Sequence, residues 1–300
     1  MEYVACNLCG EDDSEPLWEQ AAEGERFQMV RCRHCGLIYL NPRPSEEELA
    51  PYYGEGYQPF GKRSSPIMNS WRRAMVRRDI KALSQLDGEG VRVLEIGCAT
   101  GEYLALLQEE SDWEVVGLER SPFAVRQAKE RGELIVLEGT VETVKFSEGS
   151  FNVVIFRHLL EHLPDPRGFL GEVRRLLKPG GLCLLVVPDM GSWEARLFGA
   201  SWYDLDPPRH FYHFSTETIR ALLRTQKFDI CSLSHSYVPN GWIGSISRLL
   251  RRRGGPQALV DFLSVDNPWA QTIFAPLGLF MGLIGQSGRV RVIATRSAPS

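Results

Sequence analysis

The chain has 300 residues, of which 43% are hydrophobic and 24% charged, as in an ordinary soluble globular protein with a sizeable core. Its formal net charge of −4 and isoelectric point near 5.9 disfavour a protein whose main task is to grip nucleic acid. The first residues lack the basic region and apolar core of an export signal, and no apolar run reaches the roughly eighteen residues of a membrane span. We therefore expect a cytoplasmic protein with one large domain or two unequal ones.

Four of the seven cysteines form two closely spaced pairs near the N-terminus, and a glycine follows each pair. They are Cys6, Cys9, Cys32 and Cys35. In a chain without an export signal, such pairs favour a tetrahedral Zn²⁺ site over disulfides, and four thiolates leave no open position for catalysis. Residues 27–32 and 36–40 read as short strands, so residues 1–45 are predicted to be a zinc-ribbon-like domain with a structural zinc. Four free cysteines or a redox pair are the alternative.

Residues 46–90 are predicted to be a linker and a basic amphipathic helix. A capping box formed by Ser45 and Glu48 starts a short helix, and a stretch rich in aromatic residues and glycine follows at 52–57. That stretch either lines a ligand pocket or packs the ribbon against the rest of the chain. Helical spacing then runs through residues 65–86, with arginines at 72, 73, 77 and 78 on one face. We interpret them as a solvated face, with nucleic-acid contact as the alternative.

The rest of the chain is organised around an apolar run over residues 91–96 that ends at Gly97, with Gly101 four residues later. A strand, a glycine turn and a helix form the first unit of a doubly wound α/β sheet, where the backbone approaches a nucleotide-like ligand closely. The spacing does not fit the G-x-G-x-x-G of dinucleotide-binding folds. A second strand, residues 114–119, ends in Glu119, from which a carboxylate can accept both hydroxyls of a ribose.

Apolar runs and helical patterns continue to alternate beyond residue 119. Strands are predicted at 134–138, 151–156, 182–187, 228–236 and 289–295. The last two strands are expected to pair antiparallel, and about fifty residues, 238–288, are inserted between them. The sequence thus predicts one large α/β domain over residues 91–300.

These elements resemble, in order and spacing over residues 91–188, the class I S-adenosylmethionine (SAM)-dependent methyltransferases, and are similar to those of types 11 and 23. In that family an acidic residue precedes a G-x-G-x-G loop. Here Glu95 supplies the acid and Ala99 replaces the middle glycine. The resemblance implies a Rossmann-like seven-stranded sheet with helices on both faces, and SAM as cofactor. It implies SAM-binding roles for Glu95, Gly97, Cys98, Ala99, Gly101, Glu119, Arg120, Gly139, Thr140, Val141, Phe156 and Arg157.

Aromatic, histidine and acidic residues gather in residues 189–215, after the fifth strand of the domain, where folds of this kind bind ligands. Methyl transfer to a hydroxyl or a carbon acid is helped by a general base, and histidine is the obvious base near neutral pH. We expect this segment to be an active-site loop. His210 is the first choice as base because two prolines stiffen the approach to it, and the neighbouring Arg209 can orient an anionic substrate.

A second set of catalytic candidates, Glu161 and His162, follows the fourth strand. The resemblance supports them, because some sugar methyltransferases of the similar group use an acid–histidine pair in this region. His158 would share a helical face with His162 if the intervening turn were helical. For each histidine, a hydrogen-bonded structural role is the alternative.

The insertion at residues 238–288 is predicted to be a helical cap over the substrate pocket. Apolar residues at helical spacing are followed by three arginines at 251–253, and a later apolar region, 269–284, is broken by Pro276 and several glycines. Ordinary packing onto the domain is preferred over the alternative, peripheral contact of residues 240–284 with the inner face of a membrane. The remaining cysteines, expected to be buried small hydrophobes, are Cys98, Cys183 and Cys231.

Together these features predict a SAM-dependent methyltransferase that acts on an oxygen or carbon of a small molecule or glycan. An RNA methyltransferase whose zinc ribbon recognises the substrate is the alternative of the same chemistry, and the acidic isoelectric point disfavours it. A non-catalytic scaffold that keeps the fold is the alternative of another class, and retention of Glu95 and Glu119 disfavours it.

Overall fold

The computed structural model of the protein describes residues 1–22, 24–53, 66–84 and 90–297. It contains two β-sheets, one of four strands and one of seven. The strands are β1 Ser14–Ala22, β2 Glu25–Cys32, β3 Ile38–Leu40, β4 Arg92–Ile96, β5 Glu114–Glu119, β6 Ile135–Glu138, β7 Phe151–Arg157, β8 Leu177–Pro188, β9 Tyr212–His213, β10 Phe228–His235 and β11 Arg289–Arg296. The helices are α1 Glu46–Leu49, α2 Pro66–Leu83, α3 Glu102–Glu110, α4 Pro122–Lys129, α5 Pro166–Leu176, α6 Trp193–Phe198, α7 Thr216–Thr225, α8 Asn240–Arg252, α9 Gln257–Phe262 and α10 Pro268–Leu283.

The seven-stranded sheet has the order β10-β11-β8-β7-β4-β5-β6. Strands β6, β5, β4, β7 and β8 run parallel, whereas β11 is antiparallel to β8 and to β10. The central strands are buried on both faces, which explains why their sequences are near-continuous apolar runs rather than alternating ones. The predicted α/β fold with a seven-stranded sheet is confirmed, as is the antiparallel pairing of its last two strands.

Helices cover both faces of this sheet. The consecutive residues Val93 and Leu94 of β4 belong to different hydrophobic clusters, because successive side chains of a strand point to opposite faces. Helices α2, α3 and α4 contribute to the cluster that contains Val93, and α5 and α7 contribute to the one that contains Leu94. The helices start at sequence-encoded caps: Asp165 and Ser215 accept backbone N–H groups at the first turns of α5 and α7.

The arginines predicted to form a solvated face on α2 are at least a third exposed at positions 72, 73 and 77, and they also pair with neighbouring elements. Arg73 and Arg77 both pair with Glu110 of α3, and Arg72 pairs with Glu102 of the same helix. Arg78 donates to the Ser234 hydroxyl of β10 at 2.9 Å. These arginines therefore fasten α2 to its neighbours. The ends of the predicted helix at residues 65 and 85–86, and residues 54–57 of the aromatic-glycine stretch, lie outside the described residues.

The four-stranded sheet has the order β1-β2-β3-β9 and joins the N-terminal cysteine region to the rest of the protein. The predicted strands at 27–32 and 36–40 correspond to β2 and β3, whereas β1 and β9 were missed. Strand β9 comes from the segment predicted to be the active-site loop, and Tyr212 pairs with Tyr39 of β3. Because Phe27 and Tyr39 belong to the same hydrophobic cluster as one face of the large sheet, the two sheets share a core.

The insertion between β10 and β11 consists of α8, α9 and α10. Contrary to the expected break at Pro276, α10 continues through this residue, which lies on the exposed side of the helix. Gly278 and Gly282 let α10 pack directly on the 235–239 segment; a Cβ at Gly282 would lie 2.2 Å from the Tyr237 ring. Among the described residues, no helix is long and apolar enough to cross a membrane. Cys98 and Cys183 are buried as expected, but Cys231, on edge strand β10, is exposed.

Candidate functional site

The glycine turn between β4 and α3 has left-handed backbone at three positions, Gly97 (φ 74°), Ala99 (φ 46°) and Gly101 (φ 72°). Two are glycines, which adopt this conformation without strain, while alanine does so at a cost of about 1–2 kcal/mol. A side chain at Gly101 would have its Cβ 3.0 Å from Ala128 and from Leu134. The turn therefore combines a strained alanine with tight packing against α4, at the carboxyl end of the parallel strands.

Glu119, at the end of β5, holds this turn with its carboxylate. Its Oε2 accepts the backbone N–H of Ala99 at 2.9 Å, and its Oε1 accepts the N–H of Ser121 at 2.8 Å. The carboxylate is almost fully buried, and each of its oxygens retains a further lone pair. Its orientation is therefore fixed before a ligand arrives, and two acceptors at a strand tip match the adjacent hydroxyls of a ribose.

Glu95 and Arg157 lie on the neighbouring strands β4 and β7 near the same edge. The Oε2 of Glu95 and the Nε of Arg157 are buried without a hydrogen-bond partner among the described residues. Burial raises the pKa of Glu95 to about 8, although the charge of Arg157 opposes the shift. Because buried polar atoms are normally paired, these two are the atoms that a bound zwitterion, such as the amino acid end of SAM, would satisfy.

The other cofactor residues inferred from the sequence surround the same edge. The Arg120 guanidinium stacks over the Tyr53 ring at 4.9 Å, and that of Arg157 over the Tyr103 ring at 4.2 Å. Gly139 donates its N–H to the Glu119 carbonyl at 2.9 Å, which brings the turn after β6 beside β5. The buried members of the set are Cys98, Val141 and Phe156, and Thr140 is partly buried. The residues present therefore fit SAM.

The catalytic candidates come together from two segments. Glu161 and His162 lie in a short 3-10 turn, Leu160–His162, and the Phe211 N–H donates to the Glu161 carbonyl at 2.8 Å. The ring centroids of His162 and His210 are 4.5 Å apart, and the two ring planes meet at 83°. A ligand atom from each of Glu161, His162 and His210 lies within 4.8 Å of the others.

Backbone carbonyls set the tautomers of both histidines. The Nδ1 of His210 lies 2.8 Å from the Asp204 carbonyl oxygen, and that of His162 lies 3.1 Å from the Arg209 carbonyl oxygen. A carbonyl oxygen only accepts, so we assign a proton to each Nδ1 and a free lone pair to each Nε2. Burial lowers the pKa of both imidazoles, and the neighbouring Asp206 opposes the shift. Both rings are therefore neutral near pH 7 and can accept a proton at Nε2.

Glu161 is fully buried, and neither carboxylate oxygen has a hydrogen-bond partner in the described part of the chain. Burial raises the pKa of Glu161 to about 8. The His158 Nδ1 lies 3.4 Å from the Oε1 of Glu161, but burial lowers the pKa of His158 well below its ordinary value, so this ring supplies no positive charge. His158 has φ 51° and precedes the 3-10 turn, so the expected shared helical face with His162 is wrong.

Several residues around this cluster were not assigned roles from the sequence. Asp206 forms a salt bridge with Arg209 at 2.6 Å. Burial alone would raise the pKa of Asp206, but the hydrogen bond from Arg209 and the surrounding positive charges together lower it to about 2. Tyr53 places its hydroxyl 3.0 Å from His162 Nδ1. Arg289 of β11 pairs with Asp204 at 2.8 Å. The three-residue spacing of Asp206 and Arg209 is a signal that could have been read, whereas nothing local connects residue 289 to residue 204.

The four N-terminal cysteines converge on one point. The Sγ atoms of Cys6 and Cys35 are 3.4 Å apart, those of Cys9 and Cys32 are 3.5 Å apart, and all four lie within 4.8 Å of one another. Each knuckle is closed by a backbone hydrogen bond from the following glycine. Four thiolates at this spacing fit a tetrahedral soft cation such as Zn²⁺.

The chain belongs to a methyltransferase family: the family model for a methyltransferase domain, type 23, matches residues 68–233, more than half of the chain. Its fold is that of the SAM-dependent class I methyltransferases. A ubiquinone biosynthesis O-methyltransferase of Cereibacter sphaeroides is 33% identical over 166 residues, 49% of this chain and 65% of that protein. A sterol 24-C-methyltransferase of Aspergillus fumigatus is 31% identical over 129 residues, 41% of this chain and 32% of that protein.

Solved structures agree on the fold. A protein assigned as a sarcosine dimethylglycine methyltransferase from Galdieria sulphuraria superposes with a TM-score of 0.52 and 14% identity, over 75% of this chain and 85% of that one. A chain of the Haloferax volcanii complex between the Trm112 methyltransferase activator and a methyltransferase superposes with a TM-score of 0.52 and 17% identity, over 78% of this chain and 96% of that one. This chain spans less than two thirds of the length of each of the curated relatives named above.

Proposed function

We propose that the protein transfers the methyl group of SAM to an oxygen or carbon of a small molecule or glycan. The main observation behind this proposal is the pair of neutral histidines, His162 and His210, each with a ring nitrogen within 4.8 Å of a Glu161 carboxylate oxygen, in a chain with a methyltransferase domain. Two relatives named above are, by name, an O- and a C-methyltransferase that act on small molecules. Both reactions need a base more often than N-methylation does, because a hydroxyl or a carbon acid must lose its proton.

In the proposed reaction, SAM supplies an electrophilic methyl group, and the protein positions both reactants. Glu119 holds the ribose, and Glu95 with Arg157 faces the amino acid end. His210 accepts the acceptor's proton at Nε2 while the new bond to carbon forms and the sulfonium becomes a thioether. Its Nδ1–H stays bound to the Asp204 carbonyl, and this fixes the ring for the transfer. His162 is the second candidate for the base, with Glu161 as its acidic partner.

We infer that the four cysteines bind one structural zinc. Tetrathiolate sites leave no open position, so the zinc would stabilise the ribbon and take no part in the reaction. The support is the convergence of the four Sγ atoms. Because β3 pairs with β9, and β9 follows His210 directly, the zinc would also help to hold the histidine segment.

A nucleic-acid substrate has less support. The α2 arginines, which offered the strongest basic face in the sequence, are engaged with Glu102, Glu109, Glu110 and Ser234. The formal net charge of the chain is −4, and affinity for RNA comes largely from phosphate contacts by free cations. We therefore propose a small-molecule or glycan acceptor, in the cytoplasm.

Peripheral contact with a membrane is favoured by α10. Its exposed face carries Trp269, Ile273, Phe280 and Leu283, each more than half exposed, and the helix contains no charged residue. The exposed Arg251 and Arg253 lie at the C-terminal end of α8, and neither forms an ion pair in the described ranges. Exposed apolar side chains suit the surface of a bilayer, to which exposed cations of the same insertion add attraction for anionic lipid, and we propose that this surface binds the inner face of a membrane.

Flotation with phosphatidylglycerol vesicles tests the membrane contact. The double variant Trp269→Ser, Ile273→Ser should not float with the vesicles. The control is Ile135→Ser, at an apolar residue that is also more than half exposed but lies at the opposite edge of the sheet, and it should float as the wild type does. If the double variant floats to the same extent as the wild type, this contact is refuted.

The activity is tested in two steps. Saturating SAM should raise the unfolding midpoint, because a ligand that binds only the folded state stabilises it. The protein is then incubated with SAM and pools of phenols, nucleotide sugars and lipid-linked glycans, and products are screened for the mass gain of one methyl group. A midpoint that does not move at saturating SAM would overturn the proposal.

A further inference from the structure

The cluster of Glu161, His162 and His210 has the composition and the spacing of a metal site. Its three ligand atoms lie within 4.8 Å of one another, close enough for one cation to reach all of them. The cluster is also shielded, because Glu161 is fully buried and His210 is 7% exposed, while His162 is only partly buried. A cation at this point would be reached through the His162 side.

The two imidazoles are prepared as ligands by their other ring nitrogen. Each Nδ1 is within hydrogen-bond distance of a main-chain carbonyl, that of Asp204 for His210 and that of Arg209 for His162. Histidines that bind metals usually donate their second N–H to a carbonyl or a carboxylate in this way, which fixes the tautomer and aims the lone pair. The Tyr53 hydroxyl, 3.0 Å from His162 Nδ1, is placed as a second acceptor for the same proton.

Glu161 supplies an independent observation. Both of its carboxylate oxygens are buried without a hydrogen-bond partner among the described residues, and His158 Nδ1 lies 3.4 Å from Oε1. A carboxyl group removed from water without partners is unfavourable unless something else satisfies it. A cation bound by this oxygen pair would remove the penalty.

We propose that Glu161 and the Nε2 atoms of His162 and His210 bind one divalent transition-metal cation. Two imidazoles and one carboxylate suit Mn²⁺, Fe²⁺, Co²⁺ or Zn²⁺ better than Mg²⁺ or Ca²⁺, which prefer oxygen ligands. Three protein ligands leave coordination positions open. With the cation bound, both Nε2 lone pairs would be engaged, so neither histidine would act as the base. The cation would instead lower the pKa of an acceptor hydroxyl bound to it, and the released proton would pass to water. This consequence rests on the proposed methyl transfer and would narrow the acceptors to molecules that offer an oxygen ligand.

Binding of Mn²⁺ tests the site, because Mn²⁺ is a poor match for the tetrathiolate ribbon, which is kept filled with zinc. Free Mn²⁺ is measured by electron paramagnetic resonance during titration of the full chain, without SAM or acceptor. We expect about one bound Mn²⁺ per chain and an affinity loss of at least about tenfold in Glu161→Gln and in His210→Gln. The matched control is His213→Gln. His213 is a buried histidine of the same segment, and its ring nitrogens have no hydrogen-bond partner in the described chain. This variant should bind Mn²⁺ as the wild type does.

Circular dichroism establishes that each variant is folded. If Glu161→Gln is not, His162→Gln replaces it, since that side chain is only partly buried. Absence of Mn²⁺ binding at millimolar concentration, or equal binding by the wild type and the two ligand variants, would overturn the inference. If the protein binds Mn²⁺ but does not bind SAM, the cation site is supported and the proposed methyl transfer is refuted.

Discussion

Arg291 of the last strand donates its Nε–H to the Asp79 carboxylate of α2 at 2.6 Å, across 212 residues of sequence. Both side chains are less than a tenth exposed, and the Tyr103 hydroxyl of α3 donates to the other Asp79 oxygen at 2.7 Å. One carboxylate thus joins α2, α3 and β11. Helix α2 is consequently fastened to the sheet by a buried charge as well as by its apolar residues Val76 and Leu83.

Removal of this carboxylate should destabilise the protein strongly. In Asp79→Ala the guanidinium of Arg291 stays buried without its partner, and breaking a buried pair in this way costs about 3–5 kcal/mol. The matched control is Glu109→Ala, which removes the partner of an exposed pair with Arg73 and should cost less than about 1 kcal/mol. Urea unfolding measures both free energies. Equal, small losses in the two variants would mean that the buried pair contributes little.

Glu119→Ala should weaken SAM binding, with a loss on the order of tenfold to a thousandfold for two hydrogen bonds to a charged group. The carboxylate has two tasks, since it fixes the glycine turn through the Ala99 N–H and offers acceptors for the ribose. Glu114→Ala, at the other end of the same strand, removes only an exposed pair with Arg92 and is the control. Calorimetry measures both affinities, and an unchanged affinity in Glu119→Ala would refute the ribose assignment.

The fold was largely predictable because its strands are encoded locally. The strands β4, β5, β7 and β8 each contain a mostly apolar run, and such runs bounded by glycine, proline or charge can be recognised without knowing the strand's partner. Contacts between distant residues were not predictable. The α2 arginines have the pattern of a solvated face, and only the fold shows that they also pair with acids of α3, some thirty residues later. Similarly, β9 has just two residues, too few for a period.

The candidate site was predictable in its residue types but not in its geometry. Glu161, His162 and His210 were chosen because acid and histidine residues follow strands at the ligand-binding edge. What orients the two rings is the main-chain carbonyl of Asp204 and of Arg209, and every residue type has such a carbonyl. Tyr53 reaches His162 from 109 positions away. Side-chain chemistry is therefore readable from sequence, whereas orientation by backbone atoms requires the fold.

Glu194 should make a contribution to the stability of the protein that falls as pH rises between about 5 and 7. Burial raises the pKa of Glu194 from 4.5 to about 7, although Trp202 Nε1 donates to its carboxylate at 3.1 Å. Above its unfolded pKa the unfolded chain releases this proton first, so stability is lost until pH passes the folded pKa. The loss amounts to up to about 3 kcal/mol.

Glu194→Gln removes that titration. The variant should be more stable than the wild type at pH 8, about equally stable at pH 4.5, and its Gln side chain can still accept from Trp202. Glu133→Gln, at an exposed position, should leave the pH profile unchanged. Guanidinium unfolding from pH 4.5 to 8.5 gives the curves. A parallel profile for Glu194→Gln and the wild type would show that Glu194 is charged in the fold without penalty.

Loss of the proposed zinc should destabilise the ribbon and disturb the histidine segment with it. Cys35→Ser removes one thiolate, and we expect zinc content to fall from about one equivalent per chain, together with a lower unfolding midpoint. Because β3 pairs with β9, amide exchange should also accelerate at Tyr212 and His213. Cys231→Ser, at an exposed cysteine outside the cluster, is the control and should keep both zinc and midpoint. Full zinc content in Cys35→Ser would exclude the tetrathiolate site.

His210→Gln should slow methyl transfer while SAM binding stays intact. The Gln side chain can still donate to the Asp204 carbonyl, so the segment keeps its anchor, but no imidazole lone pair remains to accept the proton. A general base contributes on the order of 10²–10⁴-fold, and we expect a rate loss in that range, measured with a saturating acceptor, with the SAM affinity unchanged by calorimetry. An unaffected rate would move the base to His162.

The Mn²⁺ response separates the two roles of His210. If the imidazole is the base, the activity of the wild type should not depend on added Mn²⁺, and His210→Gln should lose turnover at every Mn²⁺ concentration. If the imidazole is a metal ligand, the wild type should gain activity along its Mn²⁺ binding curve. In that case high Mn²⁺ should restore part of the turnover of His210→Gln, because a weakened site fills by mass action. If Mn²⁺ restores turnover to His210→Gln, His210 is therefore a metal ligand. If the variant binds Mn²⁺ but its turnover is not restored, His210 is the base.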